Sequence, residues 1–235
     1  MLRAKRALSD AHQVEFTTDT DEISRVSFDK ALIAVGTHPF RPGNVPFDKK
    51  NVFDSDEILE LEHLPRTLAV IGGGVIGVEY ATIFSALDVP VTLIEARETI
   101  LDFIDKEVVE DFIHQMRDRG IVVRLGASVK EIASRENGVE ISLADGRRVR
   151  SEFLLYAAGR SGNVESLNLD ALGIEVDKRG RIKVDPGTLQ TSVPNIYAAG
   201  DVIGFPSLAS TSMEQGRVAA CHAFGMAPPP PKAFP

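Results

Sequence analysis

The sequence predicts an α/β fold whose centre is a parallel sheet. A glycine-rich turn, Gly72-Gly73-Gly74-Val75-Ile76-Gly77, follows the apolar run Thr67 to Ile71 and precedes a helical pattern and a second apolar run, Val91 to Glu95. Strand, helix and strand within about 30 residues is the unit from which parallel sheets are assembled. Short unbroken apolar runs also stand at 31–36, 153–159 and 195–201, each reaching a glycine. Runs without alternation are what strands covered on both faces show, and a ligand usually meets a parallel sheet where its strands end.

Taken in order, Gln13-Val14-Glu15-Phe16-Thr17 and Ile23 to Phe28 alternate apolar and polar, with a turn at Asp19-Thr20-Asp21 between them. Ala31 to Gly36 is the first buried strand. Pro39, Pro42, Gly43 and Pro46 then crowd one stretch, as a crossing between domains does. After the glycine turn a helix is expected over Val78 to Leu87. A second helix starts with Asp105 as its cap, carries Val108, Val109, Phe112, Ile113 and Met116 on one face, and ends at Gly120. Ile121-Val122-Val123 follows as a strand. Asn137-Gly138 and Asp145-Gly146 mark two hairpins, hence an antiparallel meander, before the buried strand Phe153 to Gly159. The proline run 228–231 and the last four residues read as an extended linker or a truncation edge.

Composition sets the outer limits. The chain has 235 residues, 43% hydrophobic and 26% charged, enough apolar material for one large domain or two small ones. A net charge of −8 argues against nucleic-acid partners. No apolar run approaches the roughly 20 residues of a membrane-spanning helix. Met1 to Arg6 is basic but is followed by no signal-peptide core, so a cytoplasmic setting is expected. The single cysteine, Cys221, can form no internal disulfide and is expected to be buried and inert. His12, His38, His63, His114 and His222 show no ligand spacing, and no metal site is expected. Asp54 with Asp56, and Glu107 with Glu110, stand in solvated or helix-start contexts and are not read as catalytic pairs.

The glycine turn carries the chemistry. In the pattern Gly72-x-Gly74-x-x-Gly77, the first glycine permits a tight turn, the second lets a pyrophosphate approach the backbone, and the third lets helix and strand pack closely. The helix beginning there, with Val75 and Ile76 in its approach, presents unpaired N–H groups and a partial positive charge to phosphate. Glu95, 18 residues after Gly77, ends the next strand where a carboxylate can take both ribose hydroxyls. This is a Rossmann-like NAD(P)-binding domain, with Glu95 favouring NAD. Arg97 could pair with the 2′-phosphate of NADP, or be a solvated surface arginine. Binding of both nucleotides is expected.

The succession of that turn with Val78-Glu79, then Ala157-Ala158-Gly159-Arg160, then Thr191-x-x-Pro194-Asn195-Ile196-Tyr197-Ala198-Ala199-Gly200-Asp201, resembles the two-dinucleotide-binding flavoprotein reductases. His38-Pro39-Phe40-Arg41-Pro42, Asp54-Ser55-Asp56 and Phe205-Pro206-Ser207-Leu208-Ala209-Ser210 resemble the branch of soluble NAD(P) transhydrogenases in particular. The resemblance implies an NAD(P) domain at 42–160 inserted in an incomplete FAD-binding domain, whose pieces are 1–41 and 161–235. It implies FAD, NAD and NADP as cofactors, hydride transfer through the flavin, and a homo-oligomeric complete enzyme of which this chain is the middle. FAD is not expected to be held tightly by these residues alone. Asp201, after Gly200, would bond the flavin ribitol; Leu208 and Ala209 would approach the flavin through backbone atoms; Glu79 and Gly159 would border the nucleotide. Glu79 as a solvated helix residue and Leu208 as core remain open, and no catalytic acid or base is nominated. A disulfide reductase of the same family, or a non-catalytic NADH-binding module, are the competing readings.

Overall fold

In the computed structural model, residues 5–17 and 22–227 are described. The expected turn at 19–21 and the proline-rich tail lie outside them. The chain forms two compact units, one from Pro39–Gly159, the other from Met1–His38 together with Arg160–Pro235.

The discontinuous unit opens with β1 (Lys5–Asp10), β2 (Gln13–Thr17) and β3 (Ile23–Ser27), an antiparallel sheet in that order. The second and third strands are those expected; the first was not read from the sequence. β4 (Ala31–Ile33) and β5 (Thr37–Pro39) follow. The run 31–36 was expected to be covered on both faces, but only three residues are strand, and Leu32 is 47% exposed while Ile33 is buried. The cause is the size of the sheet: among the described residues β4 pairs only with β15 (Ile196–Ala198), and its covered face is the one carrying Ile33, against Leu8, Ile174 and Ile182.

The continuous unit is three layers. Its sheet has the order β6 (Val52–Phe53), β13 (Phe153–Tyr156), β7 (Leu68–Ile71), β8 (Val91–Ile94) and β9 (Val122–Arg124), all parallel. Alternate residues of each strand serve opposite cores. Leu68, Val70, Leu93, Phe153 and Leu155 pack with α1 (Val75–Ala86) and α2 (Lys106–Asp118). Ala69, Ile71, Ile94 and Leu154 pack on the other side with the meander β10 (Val129–Arg135), β11 (Gly138–Leu143) and β12 (Arg148–Ser151). Burial on both sides is why these strands read as continuous apolar runs.

Three local differences from the sequence reading have physical causes. Helix α1 starts at Val75 rather than Val78, so Gly77 lies inside it, where close packing outweighs the roughly 1 kcal/mol cost of helical glycine. On α2 the apolar stripe is Val109, Ile113 and Met116, while Val108 is 59% exposed, one residue past the edge of the covered face. Asp105 caps this helix as expected, its carboxylate accepting from the Glu107 N–H at 2.9 Å. The first hairpin turns on Glu136 and Asn137, because Arg135 pairs with Gly138. A Cβ on Gly138 would stand 2.4 Å from the Ser151 carbonyl oxygen.

Of the solvated or helix-start context expected for Asp54, the structure shows the second: the residue is buried at the start of a short helix. It receives the Arg41 Nε at 2.7 Å and the N–H groups of Asp56 and Glu57 at 2.9 Å each, so it heads the short 3₁₀ helix Glu57–Glu60 and fixes the proline-rich stretch to it. After β14 (Arg160–Gly162), which pairs with β5, the chain returns through irregular structure to β15 and then α3 (Ala209–Ala223). Cys221 on α3 is half-buried rather than buried.

The α2 assignment is checked by equilibrium urea denaturation. Ile113→Ala is expected to cost about 2–5 kcal/mol, and Val108→Ala to stay within about 0.5 kcal/mol of wild type.

Candidate functional site

The end of β7 is built by close approaches that only glycine allows. Gly72 has φ +115°, and a Cβ there would lie 2.5 Å from the Ala157 carbonyl oxygen on the chain leaving β13. A Cβ at Gly77 would lie 1.9 Å from the Gly72 carbonyl oxygen, so the first turn of α1 rests directly on the turn that precedes it. Gly74 is different. A Cβ there would meet nothing within 4 Å, so no protein atom requires glycine at this position.

Gly74 is also the N-cap residue of α1, with an extended backbone and no side chain with which to cap. The helix has no acidic residue in its first turn, and among the described residues no side chain caps its N-terminal N–H groups. Val75 is half exposed there and Ile76 partly buried. Open space, free N–H donors and the positive end of a helix coincide at one point, an arrangement suited to an anion.

One strand over, β8 delivers Glu95, only 7% exposed. Its carboxylate accepts the Gly73 N–H on Oε2 at 2.5 Å and the Arg97 N–H on Oε1 at 2.9 Å. The Arg97 guanidinium adds Nε to Oε1 and Nη2 to Oε2, both at 3.1 Å, and reaches Asp102 Oδ2 from Nη1 at 2.6 Å. Burial pushes the Glu95 carboxyl up, but the bonds from the Arg97 side chain, the Arg97 N–H and the Gly73 N–H, with the guanidinium charge, hold it below the ordinary carboxylate range. Its bonds to Glu95 raise the already high pKa of Arg97.

The remaining expected site residues fall in two groups. Within the continuous unit, Gly159 follows β13, the parallel neighbour of β7, and thus leaves the same edge of the sheet as the glycine turn; its carbonyl accepts the Phe40 N–H at 3.0 Å. Glu79 is exposed on α1; its carbonyl accepts the Thr82 hydroxyl at 2.8 Å, and its carboxylate has no hydrogen-bond or ion-pair partner among the described residues. Within the discontinuous unit, Gly200 ends the segment after β15, and its N–H donates to Gln215 Oε1 of α3 at 2.8 Å. Asp201, half-buried, starts a 3₁₀ turn, and its carboxylate has no partner among the described residues. Leu208, 60% exposed and therefore not core, and Ala209 form the start of α3. Sequence reasoning missed Gly73, whose N–H holds Glu95 and which a Cβ would drive to within 2.7 Å of Ile100, and it missed Asp102. Only the presence of a glycine between the motif positions Gly72 and Gly74 hinted at the first of these.

No group of three or more His, Cys, Asp or Glu suited to a metal occurs among the described residues. Among them too, no helix is long and apolar enough to cross a membrane.

A parallel sheet with a glycine turn, an uncapped helix start and an acid on the neighbouring strand defines a dinucleotide-binding class of α/β protein. Residues 2–216 match the pyridine nucleotide-disulphide oxidoreductase family, and the chain belongs to it. It is 49% identical over 204 residues to the soluble pyridine nucleotide transhydrogenase of Mycobacterium tuberculosis, covering 87% of this chain and 43% of that protein. To the protein of that name from Colwellia psychrerythraea it is 41% identical over 219 residues, 93% of this chain and 47% of the relative. Among solved structures, LpdA from Mycobacterium tuberculosis is similar with a TM-score of 0.88 at 28% identity, over 97% of this chain and 50% of that one. The HOCl-induced flavoprotein disulfide reductase RclA from Escherichia coli gives 0.84 at 28% identity, over 95% and 50%. The chain thus spans about half the length of the curated relatives it matches.

The Glu95 carboxyl gives a pH prediction. Because its pKa is lower in the folded than in the unfolded chain, its contribution is complete above about pH 4.5, the ordinary value, and is lost as pH falls through the folded value. Glu95→Gln should therefore cost about 2 kcal/mol at pH 7, and the gap to wild type should close on acidification in chemical denaturation series.

Proposed function

We propose that this chain is the nucleotide-binding part of a flavoprotein oxidoreductase that moves hydride between NADPH and NAD. The observation that carries the reading is the coincidence at Gly74: an uncapped helix start facing open space, beside a buried acid on the next strand. The identity of up to 49% to proteins named soluble pyridine nucleotide transhydrogenase supports the substrate pair.

In this reading the N–H groups at Val75, Ile76 and Gly77 hold the pyrophosphate, with Gly74 leaving it room. Gly72 and Gly77 set the backbone that aims them. Glu95 accepts from the adenosine ribose and Arg97 attends to its 2′ position. Glu79 and Gly159 border the nicotinamide half. In the discontinuous unit, the unpartnered Asp201 carboxylate fits a hydroxyl-bearing ligand, which we read as the ribitol of FAD. The N–H of Gly200 is already taken by Gln215, so Gly200 shapes the turn rather than donating. Leu208 and Ala209, exposed at the start of α3, are read as bordering the same group. When bound, the flavin supplies a hydride acceptor and donor. The protein's part is to bind and orient, and no side chain is asked to move a proton. The complete enzyme is read as a cytoplasmic homo-oligomer.

The likeness to RclA supports a second reading, a disulfide reductase. With one cysteine, these 235 residues supply no redox pair of their own.

Gly74→Asp tests the reading. It sets a carboxylate, on a backbone any residue adopts, into the proposed phosphate position, so NADH affinity in a fluorescence titration should fall at least roughly 100-fold. The thermal midpoint should stay within about 3 °C of wild type, since nothing in the protein is displaced. Unchanged affinity would remove the glycine turn as the nucleotide site.

A further inference from the structure

A carboxylate offers about four acceptor positions, and at Glu95 all four are filled from within the chain. Two belong to backbone N–H groups, those of Gly73 and Arg97, which are fixed by the turn and the strand end. The other two belong to the Arg97 side chain. Glu95 itself is buried, its side chain against Gly73 and its backbone held on both sides, N–H to the Arg124 carbonyl and carbonyl to the Ala127 N–H. The acid assigned to the two hydroxyls of a ribose therefore has no acceptor left for either while Arg97 lies across it.

The Arg97 side chain is the one movable member. It is 44% exposed, and its third nitrogen is held at 2.6 Å by Asp102, itself 52% exposed and on the loop before α2. Two carboxylates thus share one guanidinium. Only one of them, Asp102, keeps a hold on it if the bonds to Glu95 are given up.

We propose that Arg97 is a gate on Glu95, that Asp102 is its resting place when the gate is open, and that the pair sets the preference between NAD(H) and NADP(H). This rests on the assignment of Glu95 to the adenosine ribose. A ribose with a free 2′-hydroxyl binds by displacing the guanidinium from Glu95 onto Asp102. A ribose carrying a 2′-phosphate draws the same guanidinium onto the phosphate by paired charge-assisted bonds and takes it from Asp102. Asp102 helps the first ligand by receiving the arginine and hinders the second by competing for it and by its own negative charge. Arg97 does the reverse, obstructing the first and binding the second. Asp102 is accordingly a positioning residue for specificity, acting through Arg97.

The two residues consequently carry opposite signs, which a merely structural role for either would not give. The experiment is a nicotinamide-fluorescence titration of the whole 235-residue chain with NADH and with NADPH, for wild type, Arg97→Ala and Asp102→Asn. Arg97→Ala is expected to move the ratio of affinities at least roughly 10-fold toward NADH. Asp102→Asn is expected to move it severalfold toward NADPH. Equal weakening of both nucleotides in both variants, or ratios unmoved, overturns the gate while leaving nucleotide binding intact. A wild-type chain that binds neither nucleotide overturns the ribose assignment and the gate with it. Because Asp102 is exposed and, among the described residues, its carboxylate is bonded only to Arg97, its variant stays informative even if loss of Arg97 disturbs the turn.

Discussion

A single buried carboxylate joins the two strand ends on which the site is built. Glu95 ends β8, and the N–H of Gly73, just past the end of β7, bonds to it at 2.5 Å. Hydrogen bonds to a charged group are worth roughly 1.5–3 kcal/mol each, about twice an ordinary one. That is enough to hold the glycine turn in one conformation before any ligand arrives. The turn then fixes the start of α1, and Gly77 inside that helix rests on the Gly72 carbonyl. The Glu95 anchor acts together with two backbone bonds at 2.9 Å, Gly72 N–H to the Ile94 carbonyl and Leu101 N–H to the Gly73 carbonyl, in holding that turn.

The rest of the continuous unit keeps those two strand ends still. Each central strand is buried on both sides, with helices on one face and the three-stranded meander on the other. Large residues with no exposed surface, such as Leu93, Leu154 and Leu155, leave the sheet no slack. In the proposed reading these rigid strand ends supply position, and the half-exposed Arg97 side chain supplies the choice between nucleotides.

Much of this was legible in the sequence, and the parts that were share a cause. Unbroken apolar runs such as 68–71 and 153–156 announce strands because both of their faces are covered, and the glycine spacing announces the turn because Gly72 and Gly77 answer separate steric demands. Leu32 misled because its run looks the same but lies in a two-stranded sheet with one covered face. Val108 misled because helical periodicity locates a stripe only to within a residue of its edge. The burial of Asp54 at its helix start was not legible, because its partner Arg41 lies 13 residues away in sequence. Gly73 and Asp102 were invisible for a different reason. Their importance comes from bonds to Glu95 and Arg97 formed only after β8 and the loop before α2 come together. No spacing rule encodes such a meeting.

The most direct measurement is a crystal structure of the chain soaked with NADH. Expected is density for the pyrophosphate at the N-terminus of α1 beside Gly74, with the adenosine ribose hydroxyls on Glu95 and the Arg97 guanidinium moved onto Asp102. A nucleotide lodged elsewhere, or seated there with all four bonds to Glu95 unchanged, would contradict the role given to this carboxylate.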